Sequence, residues 1–341
     1  MEQTMQETDE TTEQEHTMKA IVQDKYGAPH DVLTLEEVEK PSIGDEDVLV
    51  QVRAAGVHIG DWLVGSGLPH MIRLGYGLTK PKNRTPGMEF SGQVEAVGEN
   101  VAQFKPGDEV FGYSNAGAFA EYVSVSHDAL ALKPSNATFE QAAALPISGF
   151  TAIQALRDVG KVQQGQKVLV IGASGGVGTY AVQIAKAFGG EVTGVCSTRN
   201  VDMVRSIGAD HVVDYTQQDI AGSGERYDLI LDTAGNRPVS ELRSVLTPTG
   251  TLVIVGGSGG PWLMGTGRSL RALAISPFTG QKLTMFLSRT SKEDLVALAE
   301  LVDSEDVAPV IDATYPLSET AEALSHVGER HTRGKTVITV Q

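Results

Sequence analysis

The sequence predicts an α/β protein with two domains, a β-rich N-terminal domain and a following domain built on a doubly wound parallel sheet. Its 341 residues are more than one hydrophobic core usually covers, so two domains are expected. Up to Thr138 the chain consists of short β-rich runs separated by Gly, Pro and Asp. Beyond Thr138, short Val, Ile and Leu runs alternate with segments long enough for helices.

The β-rich runs favour a twisted antiparallel sheet and lie at 19–23, 47–53, 92–98 and 109–112. Ala and Leu then recur at helical spacing in 139–145 and 149–159. The later apolar runs predict parallel strands covered by helices on both faces, and they lie at 167–171, 191–195, 211–213, 228–231 and 251–255. A last strand at 336–340 could join either sheet.

Composition and charge exclude several classes of protein. The formal net charge of −16 repels phosphate backbones, so we expect no nucleic-acid partner. No apolar run approaches the roughly 18 residues of a membrane span, so no membrane partner is expected. The single cysteine, Cys196, allows no internal disulfide, which fits a cytoplasmic location. Residues 1–17 are acidic and lack Lys and Arg, which predicts a disordered tail before a folded part that begins at Met18.

A glycine-rich turn follows the run 167–171 and precedes an amphipathic helix. It matches a dinucleotide fingerprint as Ala173-x-Gly175-x-x-Gly178, in which backbone amides and the helix N-terminus face a pyrophosphate. The alternative is a tight turn that binds no ligand. We expect the pyrophosphate of the cofactor to lie against Ser174, Gly175, Gly176, Val177 and Gly178.

The residues after the next predicted strand favour NADPH over NADH as the cofactor. An enzyme specific for NAD would place a carboxylate there to bind the ribose hydroxyls, but this chain has Cys196. Ser197 and Arg199 follow, and both can donate hydrogen bonds to a 2′-phosphate. The alternative for Arg199 is a solvated surface arginine.

Six segments of the chain carry a family pattern, among them Pro86-Gly-Met-Glu-Phe-Ser-Gly-Gln-Val-Glu-Ala-Val-Gly98 and Gly334-Lys-Thr-Val-Ile338; the others are 54–57 with 60–62, 104–112, 117–122 and 145–152. With them the chain resembles zinc-independent members of the medium-chain dehydrogenase/reductase (MDR) superfamily, and most of all the NADPH:quinone oxidoreductases, from Met18 to Gln341. The resemblance implies a GroES-like β-rich catalytic domain with a Rossmann NADP-binding domain inserted in it. The expected parts are the tail at 1–17, the catalytic domain at 18–140, the Rossmann domain at 141–308 and a C-terminal segment at 309–341 that completes the catalytic domain.

The resemblance also implies the roles of single residues. Thr151 matches a threonine that lies against the nicotinamide. Tyr215 and Arg330 match a tyrosine and an arginine beside the adenosine 2′-phosphate, and their alternatives are a surface aromatic and a solvated helix end. The residues whose backbone groups hold the nicotinamide correspond to Gly256, Gly257 and Ser258.

Zinc-dependent members bind the metal through side chains whose positions correspond to His58, Met88 and about Ile147. One possible ligand of three remains and the structural four-cysteine loop is missing, so we expect no metal site. Without a Lewis acid, reduction is easier on substrates that are already electron-poor, such as quinones, enones, alkenals and enoyl thioesters.

His58 stands where related zinc-free enzymes commonly have asparagine. A histidine that faces the nicotinamide can donate a proton to the oxyanion left by hydride transfer, because its pKa lies near working pH. We treat His58 as a candidate catalytic acid and Asp61 as the residue that orients it. The alternative for His58 is a hydrogen-bonded packing residue.

These observations predict an NADPH-dependent, zinc-independent oxidoreductase that transfers hydride to a small-molecule quinone or α,β-unsaturated carbonyl. One alternative is a 2-enoyl thioester or alkenal reductase with the same cofactor site. An alternative of another class is an NADPH-binding structural or redox-sensing protein with little catalysis. We also expect a homodimer, with segment 269–287 as a subunit contact or a cover over the active site.

Overall fold

The chain forms three β-sheets and the helices that cover them, in a computed structural model that describes residues 16–256 and 266–340. The strands of the N-terminal part are β1 (Thr17–Gln23), β2 (Leu33–Glu39), β3 (Asp47–Val57), β4 (Glu89–Val97), β5 (Glu109–Tyr113), β6 (Tyr122–Ser126) and β7 (Leu130–Leu132). The later strands are β8 (Lys167–Ile171), β9 (Glu191–Cys196), β10 (His211–Asp214), β11 (Tyr227–Asp232), β12 (Leu246–Ile254), β13 (Lys282–Met285), β14 (Ile311–Pro316) and β15 (Lys335–Thr339).

The described α-helices are short, and several contain only one or two turns. In chain order they are α1 (Pro29–Val32), α2 (Ile59–Ser66), α3 (Arg73–Tyr76), α4 (Phe139–Ala143), α5 (Pro146–Gln154), α6 (Gly176–Ala187), α7 (Val201–Ser206), α8 (Val239–Ser244), α9 (Thr266–Ile275), α10 (Lys292–Asp303) and α11 (Thr320–Gly328). None of these described helices has both the length and the apolar composition that crossing a membrane requires.

The larger of the two main sheets contains strands from both ends of the chain. Its order is β14-β15-β3-β4-β5-β7, and β6 also pairs with β3. In β3 the side chains of Val48, Val50 and Val52 are buried at alternate positions, as the period of a strand requires. The strands β1 and β2 form a separate antiparallel pair that begins at Thr17, one residue before the expected start of the folded part. Residues 1–15 of the predicted tail lie outside the described residues.

The closing strand, which the sequence could not assign, lies in this same sheet. β15 pairs antiparallel with β3, where Thr336 is opposite Val57, and it pairs parallel with β14. The chain therefore leaves its first sheet, forms a second one and returns. This agrees with a GroES-like domain that carries an inserted domain, while the residue boundaries of the two domains stay a prediction.

The second main sheet has six parallel strands in the order β10-β9-β8-β11-β12-β13. Numbered within the sheet, this order is 3-2-1-4-5-6, which confirms the doubly wound arrangement. Leu169, Val170, Ile230 and Leu231 of its central strands are fully buried, because helices cover both faces. The strand order reverses between β8 and β11, and such a reversal opens a crevice at the carboxyl ends of the strands.

The helices that join the two sheets begin at clear capping signals. Thr138 caps α4 in a reciprocal capping box, in which its hydroxyl accepts from the backbone nitrogen of Gln141 and the Gln141 amide oxygen accepts from the nitrogen of Thr138. Pro146 occupies the first turn of α5, where its missing N–H costs nothing. The predicted helix 149–159 is thus part of α5, and its last residues form a π-helical turn at Ala155–Gly160.

Candidate active site

The glycine-rich turn lies at the carboxyl end of β8 and leads into α6. A Cβ atom on Gly178 would lie 2.0 Å from the carbonyl oxygen of Gly172, so only glycine lets the helix pack this closely on the turn. A Cβ atom on Gly175 would meet only that same oxygen, at 3.5 Å, among the described residues. The chain therefore leaves open the space in front of Gly175 and the N-terminus of α6, and this cradle fits the pyrophosphate of a dinucleotide.

The turn is held from two directions by distant parts of the chain. The backbone nitrogen of Gly334 donates to the carbonyl oxygen of Ser174 at 2.9 Å, and Gly334 forms a bridge with Gly175. From the other direction, Nδ2 of Asn200 donates to Oγ of Ser174 at 3.0 Å. Gly176 and Val177 follow as the first residues of α6. The predicted pyrophosphate residues thus lie together at one helix N-terminus.

The residues predicted for the 2′-phosphate lie at the ends of β9 and β10 and in the segment before β15. The backbone nitrogen of Tyr215 donates to the carbonyl oxygen of Cys196 at 3.1 Å, which places Tyr215 beside the start of Ser197. Nη2 of Arg199 donates to the carbonyl oxygen of His331 at 2.7 Å. This contact brings Arg199 next to the segment that contains Arg330. The ring of Tyr215 is 53% exposed and is open to a ligand.

Asn200 is a site residue that the sequence analysis did not identify. Its side chain is 4% exposed, and its Oδ1 atom has no hydrogen-bond partner among the described residues. Its Nδ2 atom donates to the hydroxyls of Ser174 and Ser197, at 3.0 and 3.3 Å. A buried amide oxygen without a partner is costly, and a ribose hydroxyl at this position could donate to it. A single asparagine in a loop gives no sequence pattern by which to predict this role.

Two of the four residues predicted for the nicotinamide can be described. Oγ1 of Thr151, on α5, donates to the carbonyl oxygen of Ile147 at 2.8 Å and lies 3.0 Å from Oγ of Ser288. A Cβ atom on Gly256 would lie 2.0 Å from the carbonyl oxygen of Thr233, so the chain passes there in close contact with the end of β11. The other two predicted residues, Gly257 and Ser258, lie outside the described residues.

His58 and Asp61 form a reciprocal pair at the start of α2. Nδ1 of His58 accepts from the backbone nitrogen of Asp61 at 3.1 Å, and Oδ2 of Asp61 accepts from the backbone nitrogen of His58 at 2.9 Å. The two side chains are also 3.0 Å apart, from Nδ1 to Oδ2. A Cβ atom on Gly60 would lie 2.3 Å from Cε1 of His58, so glycine makes room for the ring. His58 is therefore the helix cap as well as the candidate acid.

The surroundings of His58 raise the pKa of its imidazole. Burial alone would lower this pKa, but the carboxylate of Asp61, through its charge and its hydrogen bond, and the charge of Glu89 outweigh burial and the opposing charge of Lys335. The ring therefore stays protonated to a higher pH than an exposed histidine. No hydrogen bond joins Nε2 of His58 to a described residue, so both recorded contacts of the ring are made through Nδ1.

Glu89 and Lys335 form a buried ion pair next to this histidine. The side chains are 0% and 2% exposed, and the pair joins β4 to β15 across 246 residues of sequence. The other carboxylate oxygen of Glu89 accepts from the backbone nitrogen of Ile147 at 2.8 Å, at the start of α5. A Cβ atom on Gly176 would lie 3.2 Å from Cδ of Lys335, so the pair also borders the glycine turn. Each residue is the first of its strand, and this pair was not predicted from the sequence.

A cavity of about 230 Å³ lies beside the His58–Asp61 pair. Asp61 and Met88 form part of its wall, and Met88 directly precedes Glu89. Segment 70–84 covers the cavity from the other side. The remaining lining combines small or apolar residues with uncharged polar ones; the former include Val64, Pro86, Gly87 and Gly117, and the latter Gln23, Thr85, Ser114 and Asn115.

The three positions that correspond to zinc ligands lie close to this cavity. His58 pairs with Asp61, Met88 lines the cavity, and the backbone nitrogen of Ile147 donates to Glu89. Within 16–256 and 266–340, no three His, Cys, Asp or Glu side chains are grouped so that they could hold a metal ion.

Comparisons with known proteins identify related families for both parts of the chain. Residues 44–135 match the model of the alcohol dehydrogenase GroES-like domain, and residues 207–338 match the model described as zinc-binding dehydrogenase. The chloroplastic quinone-oxidoreductase QR1 of Triphysaria versicolor is 32% identical over 333 residues, which cover 94% of this chain and 98% of that protein. The mitochondrial NAD(P)H oxidoreductase RTN4IP1 of Mus musculus is 33% identical, with 97% and 91% covered.

A solved structure has the same fold over almost the entire chain. The quinone oxidoreductase from Coxiella burnetii superposes with a TM-score of 0.81 and 29% identity, and the match covers 95% of this chain and 100% of that protein. The relatives and this structure therefore agree with the fold.

Proposed function

Because this chain belongs to the MDR superfamily, on its quinone oxidoreductase-like branch, we propose that it reduces a quinone or an α,β-unsaturated carbonyl with NADPH and without zinc. Membership in this family makes the chain an oxidoreductase that uses a nicotinamide cofactor. The observation that carries the finer proposal is the reciprocal pair of His58 and Asp61. Asp61 lines the wall of a cavity, and the same chain has an open dinucleotide cradle.

The choice of NADPH rests on the groups at the end of β9. Cys196 occupies the position of an NAD-specific carboxylate, and the hydroxyl of Ser197 and the guanidinium of Arg199 follow it. The neighbouring carboxylate, Asp214, is already engaged in hydrogen bonds within the protein. Its oxygens accept hydrogen bonds from the side chains of Thr198, Thr216 and Gln217. A 2′-phosphate would therefore meet donors and positive charge rather than a free carboxylate.

Independence from zinc rests on the donor types at the three ligand positions. Met88 and Ile147 cannot replace a histidine and a cysteine thiolate, and His58 already pairs with Asp61. Without a metal to polarise a carbonyl, the substrate itself must be electron-poor. This requirement supports a quinone or a conjugated carbonyl as the acceptor.

The bound nicotinamide would supply the hydride, while the residues of the chain orient the reactants and supply a proton. The backbone at Gly175 and the start of α6 would hold the pyrophosphate, and Thr151 and Gly256 would border the nicotinamide end. Asp61 fixes Nδ1 of His58, so that Nε2 carries the proton for the oxyanion of the reduced acceptor. Protonation by solvent is the alternative.

The homodimer and the cytoplasmic location belong to the same proposal. β13 is one of the two edge strands of the described parallel sheet, and Phe278, Met285 and Leu287 around it are exposed apolar side chains. An exposed edge of this kind supports pairing with a second copy of the chain.

Burial raises the pKa of the lone thiol, Cys196, to about 11, so it stays a packing residue and needs no oxidising compartment.

The test is a steady-state assay of NADPH and NADH oxidation against quinones, enones, alkenals and a crotonyl thioester, with protein treated with a metal chelator. We expect quinones and enones to accelerate NADPH oxidation, NADH to be a poorer donor, and the chelator to have no effect. A rate that responds only to the thioester or to alkenals would favour that alternative reductase. Tight binding of NADPH without acceleration by any acceptor would support the binding-protein alternative and overturn the enzyme proposal.

A further inference from the structure

Segment 70–84 is a basic stretch in an acidic protein. It carries Arg73, Lys80, Lys82 and Arg84 and no Asp or Glu, while the net charge of the chain is −16. Two of these cations are engaged. Arg73 lies over the ring of Tyr26, 4.6 Å from its centroid, and Arg84 forms two hydrogen bonds with Asp24, at 2.7 and 2.8 Å. Neither Lys80 nor Lys82 forms an ion pair with a described residue.

The segment is fixed in place over the cavity by hydrogen bonds along its length. The hydroxyl of Tyr26 donates to the carbonyl oxygen of Gly77 at 2.6 Å, and the backbone nitrogen of Lys82 donates to the carbonyl oxygen of Tyr76 at 2.8 Å. The side-chain amide of Asn83 donates to the carbonyl oxygen of Asn115 on the opposite rim. Segment 70–84 therefore forms a wall of the cavity with a defined position.

Charge is distributed unevenly around the cavity. Among its lining residues the charged side chains are Asp61 and Lys82, and Asp61 is already paired with His58. Lys80, two residues away, does not line the cavity. Lys82 is thus an unpaired positive charge at a site whose other polar groups are neutral or engaged. The positive charge of Lys82 would attract an anionic ligand into the cavity and stabilise it there. The negative net charge of the whole protein repels such a ligand, so the local attraction by Lys82 is needed to offset it.

The size and the remaining walls restrict the shape of a ligand. The volume of about 230 Å³ lies below the usual range of pockets for drug-sized ligands, which begins at roughly 300 Å³. Val64, Tyr76, Pro81, Pro86 and Met88 present flat or flexible apolar surfaces. A single ring or two fused rings would fill this space, and a bulky carrier group would have to remain outside.

We propose that this cavity binds the electron acceptor and that Lys82 makes the protein prefer acceptors with an anionic substituent on a small conjugated ring. The inference rests on the proposed reductase function and narrows its substrate class. Lys82 acts as a specificity-determining residue, because it contacts the substituent and not the reacting atoms. Its contribution is electrostatic, so high ionic strength should weaken the preference.

The test compares naphthoquinone with naphthoquinone sulfonate as acceptors for the wild-type chain, Lys82→Gln and Lys82→Glu. We expect Lys82→Gln to raise KM for the sulfonate about threefold to tenfold and Lys82→Glu to raise it further, while KM for the neutral quinone changes less than about twofold. Each variant is compared with wild type for the same acceptor, so the electronic effect of the sulfonate cancels. Lys80→Gln and Lys80→Glu are the matched controls and should leave both acceptors unchanged.

Calorimetric binding of naphthoquinone sulfonate gives a second readout that does not require turnover. Weaker binding of the sulfonate to Lys82→Glu, with unchanged binding to Lys80→Glu, would support the role of Lys82. This holds even if the protein reduced no acceptor, because the lack of reduction would refute only the proposed function. The role of Lys82 would be overturned if its variants changed KM equally for both acceptors, if the Lys80 and Lys82 variants had equal effects, or if neither set of variants changed KM. A measured reductase activity would remain valid in each case.

Discussion

Nδ1 of His58 lies 3.0 Å from Oδ2 of Asp61 and 3.1 Å from the backbone nitrogen of the same residue. The two contacts use Nδ1 in opposite ways, because a protonated Nδ1 donates to the carboxylate and an unprotonated Nδ1 accepts from the backbone N–H. His58 therefore has a partner in both protonation states. In either state Oδ2 of Asp61 can still accept from the backbone nitrogen of His58, so this half of the capping box does not depend on the proton at Nδ1.

The substitution His58→Asn should remove the acid and keep the cap, since asparagine is a good N-cap residue. The pKa of His58 is raised, so its protonated form persists to a higher pH than that of an exposed histidine and is lost as the pH rises through that pKa. We expect the wild-type kcat to fall on the alkaline side, and the variant to be slower by about 10²-fold at neutral pH without that decline. The measurement is kcat as a function of pH.

The matched control is His30→Asn, because the side chain of His30 is 56% exposed and lies on another helix. Both variants should unfold in urea within about 1 kcal/mol of the wild type, which shows that the loss of rate is not a loss of fold. If His58→Asn kept the wild-type pH profile, His58 would be a packing residue and the proton would come from solvent.

Glu89→Gln should destabilise the protein strongly, because it leaves Lys335 as a buried charge without a counterion. The glutamine keeps an oxygen for the backbone nitrogen of Ile147, so the loss reports on the ion pair. We expect the free energy of unfolding to fall by about 3–5 kcal/mol in a urea titration. Glu95→Gln on the same strand breaks the surface pair with Lys40 and should cost about 1 kcal/mol or less. Similar losses for the two variants would contradict this account.

Two glycines of the turn should respond differently to the same substitution. Gly178→Ala brings a Cβ atom against the Gly172 carbonyl oxygen, so the protein should lose about 1–3 kcal/mol of stability. Gly175→Ala meets only an ordinary contact and should fold almost as the wild type does, but its methyl group should reduce affinity for NADPH more than about tenfold. Fluorescence titration and urea unfolding separate the two effects. Normal NADPH binding by Gly175→Ala would show that the cofactor does not approach this residue.

The double substitution Ser197→Ala with Arg199→Asp should weaken NADPH far more than NADH. It removes a hydroxyl donor and places a negative charge where the 2′-phosphate is expected. We expect the ratio of the two dissociation constants to shift by about 10²-fold or more, because a charge-assisted contact is lost and a repulsion is added. Arg205→Asp, at an arginine that is 62% exposed on the next helix, is the control. Equal weakening of both cofactors would refute the phosphate assignment.

Local patterns in the sequence predicted much of the fold and part of the site. The parallel strands and the glycine turn produce apolar runs and glycines at short spacing, and such patterns depend little on the rest of the molecule. The pairing of His58 with Asp61 is likewise a contact between residues three apart. Its role as a helix cap was not predicted, because histidine is not among the residues that usually mark an N-cap.

Contacts between distant residues were beyond the sequence analysis. Glu89 and Lys335 are 246 residues apart, and nothing local indicates that two charged side chains will meet in the core. The closing strand could not be assigned because strands of both sheets have the same period, and only its pairing with β3 decides between them. The cavity combines Asp61 with segment 70–84, and no periodicity predicts how such a glycine-rich segment folds over another helix.

The most direct test of the central claim follows the hydride itself. The chelator-treated protein would reduce an enone with NADPH that carries deuterium in both positions at C4 of the nicotinamide, and mass spectrometry and NMR would locate the label in the product. We predict one deuterium at the β-carbon of the saturated ketone, with the α-proton taken from solvent. A product without deuterium, or activity that returns only when zinc is added, would contradict zinc-independent hydride transfer from NADPH.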